Sequence, residues 1–261
     1  MKAAIITGAS SGIGEAFLKQ YTADVKAGRE QAPDEIWVVA RSADKLAKLK
    51  ETYADFRLRA VTADLGELEE LKKIEALLAE TKPEAVLLIN CAGMGKRGDV
   101  MSRGYEDLAD TIDINCRALS VLTRICLPYM KEGSRIINIA SSAAFLPQPG
   151  FACYAASKAY VVDFSRALRN ELRKSRICVT AICPGPVKTA FLGKATDNKE
   201  TEFTGIRKNF VANPDKLAAS SLKASRKGRT LYVYKFSQKL LHFASKILPT
   251  AFILKLESLL M

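Results

Sequence analysis

Three side chains in one stretch of this chain have the types and spacing needed to place a proton on a carbonyl oxygen: Ser141, Tyr154 and Lys158. The stretch runs from a β-branched segment (Ile136, Ile137, Ile139) through Pro147, Pro149 and Gly150 to helix formers from Tyr154, which predicts strand, loop and helix. Tyr154 and Lys158 are four residues apart, so they share a helix face one turn apart. Ser141 precedes Tyr154 by thirteen residues, at the strand end where ligands sit in open α/β sheets. A phenol titrates at about 10 and a nearby ammonium favours the phenolate, so Lys158 is expected to lower the Tyr154 pKa. A hydroxyl such as that of Ser141 can donate to a carbonyl oxygen and hold it where Tyr154 gives or takes a proton. The set still lacks a source of hydride.

A second motif stands at the N-terminus. The apolar run Lys2 to Thr7 ends in Gly8-Ala9-Ser10-Ser11-Gly12-Ile13-Gly14, and helix formers follow from Glu15. Strand, glycine-rich turn and helix in that order suit a pyrophosphate: the glycines permit a tight turn and close backbone approach, and the helix start offers free amides and a positive dipole end. A purely structural glycine turn is the alternative. The next strand, Ile36 to Ala40, is followed by Arg41-Ser42, with no acid before Asp44. In a dinucleotide fold an acid there takes the ribose 2′-hydroxyl of NAD, whereas a cation accommodates the 2′-phosphate of NADP. The expected cofactor is therefore NADP(H), clamped by Arg41 with Ser42 as a second donor.

With Thr-Gly-x-x-x-Gly-x-Gly at residues 7–14 and Ser141, Tyr154-x-x-x-Lys158 downstream, the chain resembles the short-chain dehydrogenase/reductase family of Rossmann-fold oxidoreductases. The resemblance covers residues 3 to about 234. It implies cofactor contacts along Gly8, Ser10, Ser11, Gly12, Ile13 and Gly14, although Ser11 stands where NADP-using members often carry a basic residue. It implies an adenine contact at Asp64-Leu65 after the strand Leu58 to Thr62. Asn90-Cys91-Ala92-Gly93 matches the family's Asn-Asn-Ala-Gly with cysteine for the second asparagine, which loses that amide's hydrogen bonds and keeps the backbone contact at Ala92-Gly93. Asp113-Ile114-Asn115 resembles the family's Asn-x-Asn, making Asn115 a fourth catalytic residue on a water-mediated proton path to Lys158. Pro184-Gly185-Pro186-Val187-Lys188-Thr189 resembles the loop that meets the nicotinamide carboxamide. The segment from Phe191 to Asn213 corresponds to the family's mobile substrate loop.

Length and composition fit a single domain. The chain has 261 residues, 48% hydrophobic and 26% charged, as expected for a globular protein with a sizeable core. The expected fold is one doubly wound α/β Rossmann domain over residues 1–234, a seven-stranded parallel sheet with helices on both faces, with residues 235–261 as an amphipathic helical extension. Continuous apolar runs such as Val86 to Ile89 suit strands covered on both faces. Helical spacing runs from Ser42 to Tyr53, Glu67 to Glu80, Tyr105 to Met130 and Asp215 to Ser225, the last capped by Asn213-Pro214. With His242 the only histidine and no Cys-x-x-Cys pair, a Ser-His-acid hydrolase and a zinc site are disfavoured, and no metal is expected. The six cysteines lie mostly in apolar runs and are expected to be reduced, buried cytosolic thiols, with no signal peptide before the first strand.

The net charge of +12 is unevenly placed. Between Asp215 and Glu257 there are nine Lys/Arg and no Asp or Glu, a field that suits phosphates, acidic lipid or an acidic partner, or is simply a solvated surface. Pro249 divides residues 236–261 into two short amphipathic segments, neither reaching the ~18 continuous apolar residues of a membrane span. Three readings of this tail stand: a lid or subunit interface, a peripheral membrane contact, or ordinary edge packing. The expected activity is NADPH-dependent reduction of a hydrophobic carbonyl, a ketone or 3-oxoacyl group including acyl thioesters, or the reverse, in a cytoplasmic homo-oligomer with no nucleic-acid partner. The rival from another class is a non-catalytic NADP-binding sensor or scaffold.

Overall fold

The computed structural model describes residues 1–197 and 211–249. Its frame is a seven-stranded, all-parallel sheet in the order β3-β2-β1-β4-β5-β6-β7. The strands are β1 (Lys2–Thr7), β2 (Glu35–Ala40), β3 (Leu58–Thr62), β4 (Glu84–Asn90), β5 (Arg135–Ile139), β6 (Cys178–Cys183) and β7 (Leu231–Val233). The helices are α1 (Gly12–Lys26), α2 (Ala43–Thr52), α3 (Leu68–Thr81), α4 (Tyr105–Ile112), α5 (Leu119–Cys126), α6 (Ala152–Glu171), α7 (Ala190–Ala195), α8 (Pro214–Arg226) and α9 (Phe236–Ile247). The expected doubly wound fold is observed.

Alternate strand residues supply two cores. Ala4, Ile6, Ile36, Val38 and Ile89 pack under α1, α2 and α8, while Ala3, Ile5, Trp37, Val39 and Leu88 pack under α3, α5 and α6. β2 is buried along its whole length because helices cover both faces, whereas in edge strand β3 only Leu58 is buried and Ala60 and Thr62 are exposed. Val161, Val162 and Leu168 of α6 are buried within the chain, so the apolar face of this helix packs on the sheet. Asn213 caps α8 as expected, its Oδ1 accepting from Lys216 N at 3.1 Å with Pro214 in the first turn.

Strand order reverses direction between β1 and β4, which opens a crevice at their carboxyl ends. The sequence predicts one helical region from Tyr105 to Met130; the structure divides it. A π-turn at Asp113–Ala118 separates α4 from α5, and a short 3₁₀ turn at Leu127–Tyr129, with Pro128 inside it, ends the region. The cysteines are all unpaired, but only Cys116, Cys126 and Cys183 are fully buried; Cys91, Cys153 and Cys178 are half-buried, because they sit at strand ends and a helix start and not within the packed layers. Among the described residues no helix is long and apolar enough to cross a membrane. The apolar positions expected between Ala251 and Leu260 lie outside the described residues.

Candidate active site

Every expected site residue lies at the carboxyl edge of the sheet. At the end of β1, Gly8 and Gly12 have φ of +64° and +59°, which glycine adopts without strain. Gly14 packs so closely that an added Cβ would stand 2.2 Å from Gly8 O. The exposed Ser11 makes no side-chain cap, so the first amides of α1 face the crevice without a side-chain partner from it. Gly12 also abuts Thr189, which brings the glycine turn against the Pro184–Thr189 loop. A narrow, glycine-lined cradle at a helix N-terminus, running on to that loop, fits a dinucleotide.

β4 forms the floor. The Thr7 hydroxyl donates to Ile89 O and accepts from the amides of Cys91 (2.9 Å) and Ala92 (3.0 Å). Thr7 thus fixes the turn that presents Ala92-Gly93, so the cysteine at position 91 leaves this backbone in place. Asn90 also ties the sheet to its helices: its Nδ2 donates to Asn138 Oδ1 and Thr123 Oγ1, and Asn138 Nδ2 donates to Ser165 Oγ, a buried chain linking β4 and β5 to α5 and α6. Leu65 is likewise buried in the core, so any nucleotide contact it makes is through backbone. Arg41 is exposed and ion-paired with Asp64 at 3.6 Å; Ser42 Oγ accepts from Lys45 N as the cap of α2, and Asp64 Oδ1 accepts from Gly66 N. Arg41 and Asp64, expected to meet opposite ends of one adenosine, are therefore neighbours.

The proton-handling groups converge from β5, α6 and the π-turn. The Ser141 side chain accepts from Ala143 N and keeps its own proton to donate. Tyr154 lies in a stack, its ring 4.3 Å from Phe151 and 5.6 Å from Phe191, with Gly95 packed against it so tightly that a Cβ there would fall 2.4 Å from the ring. Lys158 Nζ donates to Ile139 O at 2.9 Å and lies 5.6 Å from the Tyr154 ring centre. Asn115 turns its amide inward at the π-turn: Nδ2 donates to Met94 O and Ser157 Oγ, and Oδ1 accepts from Met94 N. The extra residue per turn is what frees Asn115 from the helix surface and lets it clamp the loop after β4.

The electrostatics differ from the expectation. Burial pushes the Tyr154 phenol up to about 12, with the Ser141 hydrogen bond pulling the other way, and Lys158 does not lower it. The reason is that Lys158 is itself buried, which lowers its pKa to about 8, and its ammonium is anchored on Ile139 O. Thr7, Gly95, Phe151 and Phe191 were not singled out as site residues by the sequence. Phe151 and Tyr154 carried a signal, three residues apart at a helix start; Phe191 opens the expected substrate loop but stands in helix α7, and Gly95, in the loop after β4, carried none.

Burial of thiols gives the molecule an alkaline limit. Burial raises Cys91, Cys126 and Cys183 from 9.0 to about 12 and Cys116 to about 11. A raised folded-state pKa contributes stability that is complete below pH 9.0 and is lost as pH climbs toward the folded value. Lys158 opposes this, since its lowered pKa makes stability rise between about 8 and 10.5, but one group faces four. Unfolding by urea is expected to show stability falling above pH 9.0, and a stability that stays level would show the thiols to be solvated.

With that geometry in place, comparison with known proteins settles the family. The family model for short chain dehydrogenase matches residues 2–200. The chain belongs to the short-chain dehydrogenase family. It is thus an oxidoreductase on a Rossmann fold. Oxidoreductase UcpA of Salmonella typhimurium is 32% identical over 193 residues, covering 72% of this chain and 70% of that protein. A very-long-chain 3-oxoacyl-CoA reductase of Anas platyrhynchos is 34% identical over 217 residues, covering 78% and 66%. A short-chain dehydrogenase of Sphingobium yanoikuyae, solved in complex with NADPH, superposes with a TM-score of 0.76 at 27% identity over 94% of both chains.

Proposed function

We propose that this short-chain dehydrogenase uses NADPH to reduce the carbonyl of a hydrophobic substrate of the 3-oxoacyl class to an alcohol. The observation that carries the reading is the meeting of Ser141, Tyr154 and Lys158 beside the glycine cradle at one sheet edge. When bound, the reduced nicotinamide supplies the hydride. Ser141 donates to the carbonyl oxygen and fixes its position, and Tyr154 hands its phenolic proton to that oxygen as the carbon gains the electron pair. Burial keeps the phenol protonated, so Tyr154 enters the reduction in its acid form. Lys158 would hold the ribose of the bound cofactor and would return a proton to the phenolate, and Asn115 keeps the Met94 loop in place beside it.

The aromatic wall of Phe151 and Phe191, with the Arg97 guanidinium 5.4 Å above Phe151, supports an apolar substrate with an anionic end. The resemblance to a reductase of very-long-chain 3-oxoacyl-CoA supports the same class. Exposed Tyr105 and Ile112 on α4 and Tyr160 on α6 support a homo-oligomer. The test is oxidation of NADPH, with NADH in parallel, across ketones, aldehydes and 3-oxoacyl thioesters of increasing chain length. Turnover rising with chain length is the expected result, and tight NADPH binding with no turnover would sink it. Arg41→Ala is expected to raise the KM for NADPH roughly tenfold or more, as for loss of a charge-assisted phosphate contact, and to leave NADH unaffected. Equal effects on both cofactors would show that Arg41 serves only Asp64.

A further inference from the structure

The outward face of α9 carries Phe236, Leu240, Phe243 and Ile247, which are 79%, 59%, 63% and 62% exposed. Their spacing sets them in one narrow stripe opposite Gln238, which is buried. Lys239 and Lys246, both exposed, follow one margin of that stripe by the same helical spacing, while Lys235, the residue before the helix, donates its ammonium to Val211 O at 2.9 Å. The inward face lies on the rim of the active site. Gln238 packs against Gly185 in the loop after β6, and His242 stacks on Phe145 at 4.2 Å, in the short turn that begins at Ser142.

Four large apolar side chains aligned in water mark a surface that something covers. A second copy of the chain is a poor cover. Stripe against stripe, the two lysine rows would meet, and no carboxylate occurs between Asp215 and Glu257 to answer them. An anionic lipid surface satisfies both halves of the pattern, acyl chains taking the stripe and phosphates the lysines. We propose that α9 lies in the interface of an anionic bilayer, with Phe236, Leu240, Phe243 and Ile247 inserted and Lys239 and Lys246 on lipid phosphates. A helix of 12 residues lies on such a surface and does not span it. Because α9 forms part of the site's rim, this docking sets the site beside the lipid. That consequence rests on the proposed apolar substrate; the docking itself does not.

The test is co-sedimentation of the full chain with vesicles of phosphatidylcholine mixed with phosphatidylglycerol, and of phosphatidylcholine alone. The wild type is expected to bind the anionic vesicles. Leu240→Ser with Phe243→Ser is expected to weaken binding roughly tenfold or more, and Lys239→Glu with Lys246→Glu roughly fivefold or more for each lysine. All four residues face outward, so NADPH binding should be unchanged in both variants, which separates a failed docking from a failed active site. No binding by the wild type, or equal binding by wild type and both variants, overturns the proposal. So does a wild-type dimer, seen by sedimentation velocity without lipid, that the serine variant dissolves, since the stripe would then be a subunit interface.

Discussion

Tyr154→Phe is expected to lower kcat for carbonyl reduction by roughly 10²- to 10⁴-fold while leaving NADPH affinity essentially unchanged. The ring would keep its stack on Phe151 at 4.3 Å and its contact with Phe191 at 5.6 Å, so the pocket holds its shape. What goes is one hydroxyl and, with it, the proton that the substrate oxygen must receive. Ser141 cannot take over: an aliphatic hydroxyl is a far weaker acid than a phenol, so it can hydrogen-bond to the oxygen without giving up its proton. Lys158 keeps its ammonium on Ile139 O at 2.9 Å, and in the proposed reaction its proton reaches the substrate only by way of the Tyr154 oxygen that the variant lacks. Single-turnover NADPH oxidation gives the chemical step, and a fluorescence titration gives cofactor affinity. A variant that turns over like the wild type would remove Tyr154 from the chemistry and return weight to an NADP-binding protein without catalysis.

The fold was legible because both faces of the sheet are covered. Burial on two sides makes β1, β2, β4 and β6 read as continuous apolar runs, and their ends then locate the loops that carry the chemistry. Asn213 before Pro214 marked the start of α8 for a similarly local reason. What the sequence did not disclose depends on contacts between distant segments. Asn115 sits in a helical stretch and its spacing gives no sign of the π-turn that rotates it toward Met94. Asn90 stands in a motif shared with nucleotide contacts, yet its partner Asn138 lies 48 residues away on the next strand, and the pairing of those strands is what uses its amide. Lys158 was placed beside Tyr154 correctly, but helical spacing says nothing of burial. Desolvation, not proximity, decides which way both pKa values move.

Gly14→Ala is expected to damage fold and cofactor site together. The new Cβ would stand 2.2 Å from Gly8 O, 2.6 Å from Gly8 C and 3.1 Å from Ala9 N. These are backbone atoms, so no side chain can swing aside; either α1 tilts off the sheet or the glycine turn opens. Tilting α1 disturbs Phe17, Leu18 and Tyr21, which are buried against the sheet, and overpacking of this kind costs about 1–3 kcal/mol. Each kcal/mol lowers Tm by roughly 2–4 °C in a domain of this size. Opening the turn instead moves the amides at the start of α1 away from the pyrophosphate, and a misplacement of about 1 Å can cost roughly 10²-fold in function. Gly28→Ala is the control: Gly28 has φ of +67° and open space around its missing Cβ, so that variant carries backbone strain alone. Thermal melts with and without NADPH separate the two costs. Gly14→Ala should lose both Tm and the NADPH-induced rise in Tm, whereas Gly28→Ala should lose Tm and keep the rise. If Gly14→Ala kept the full rise, the contact between α1 and Gly8 would be needed for packing only, and the cradle would have to be held by Thr7 and the Ala92-Gly93 turn.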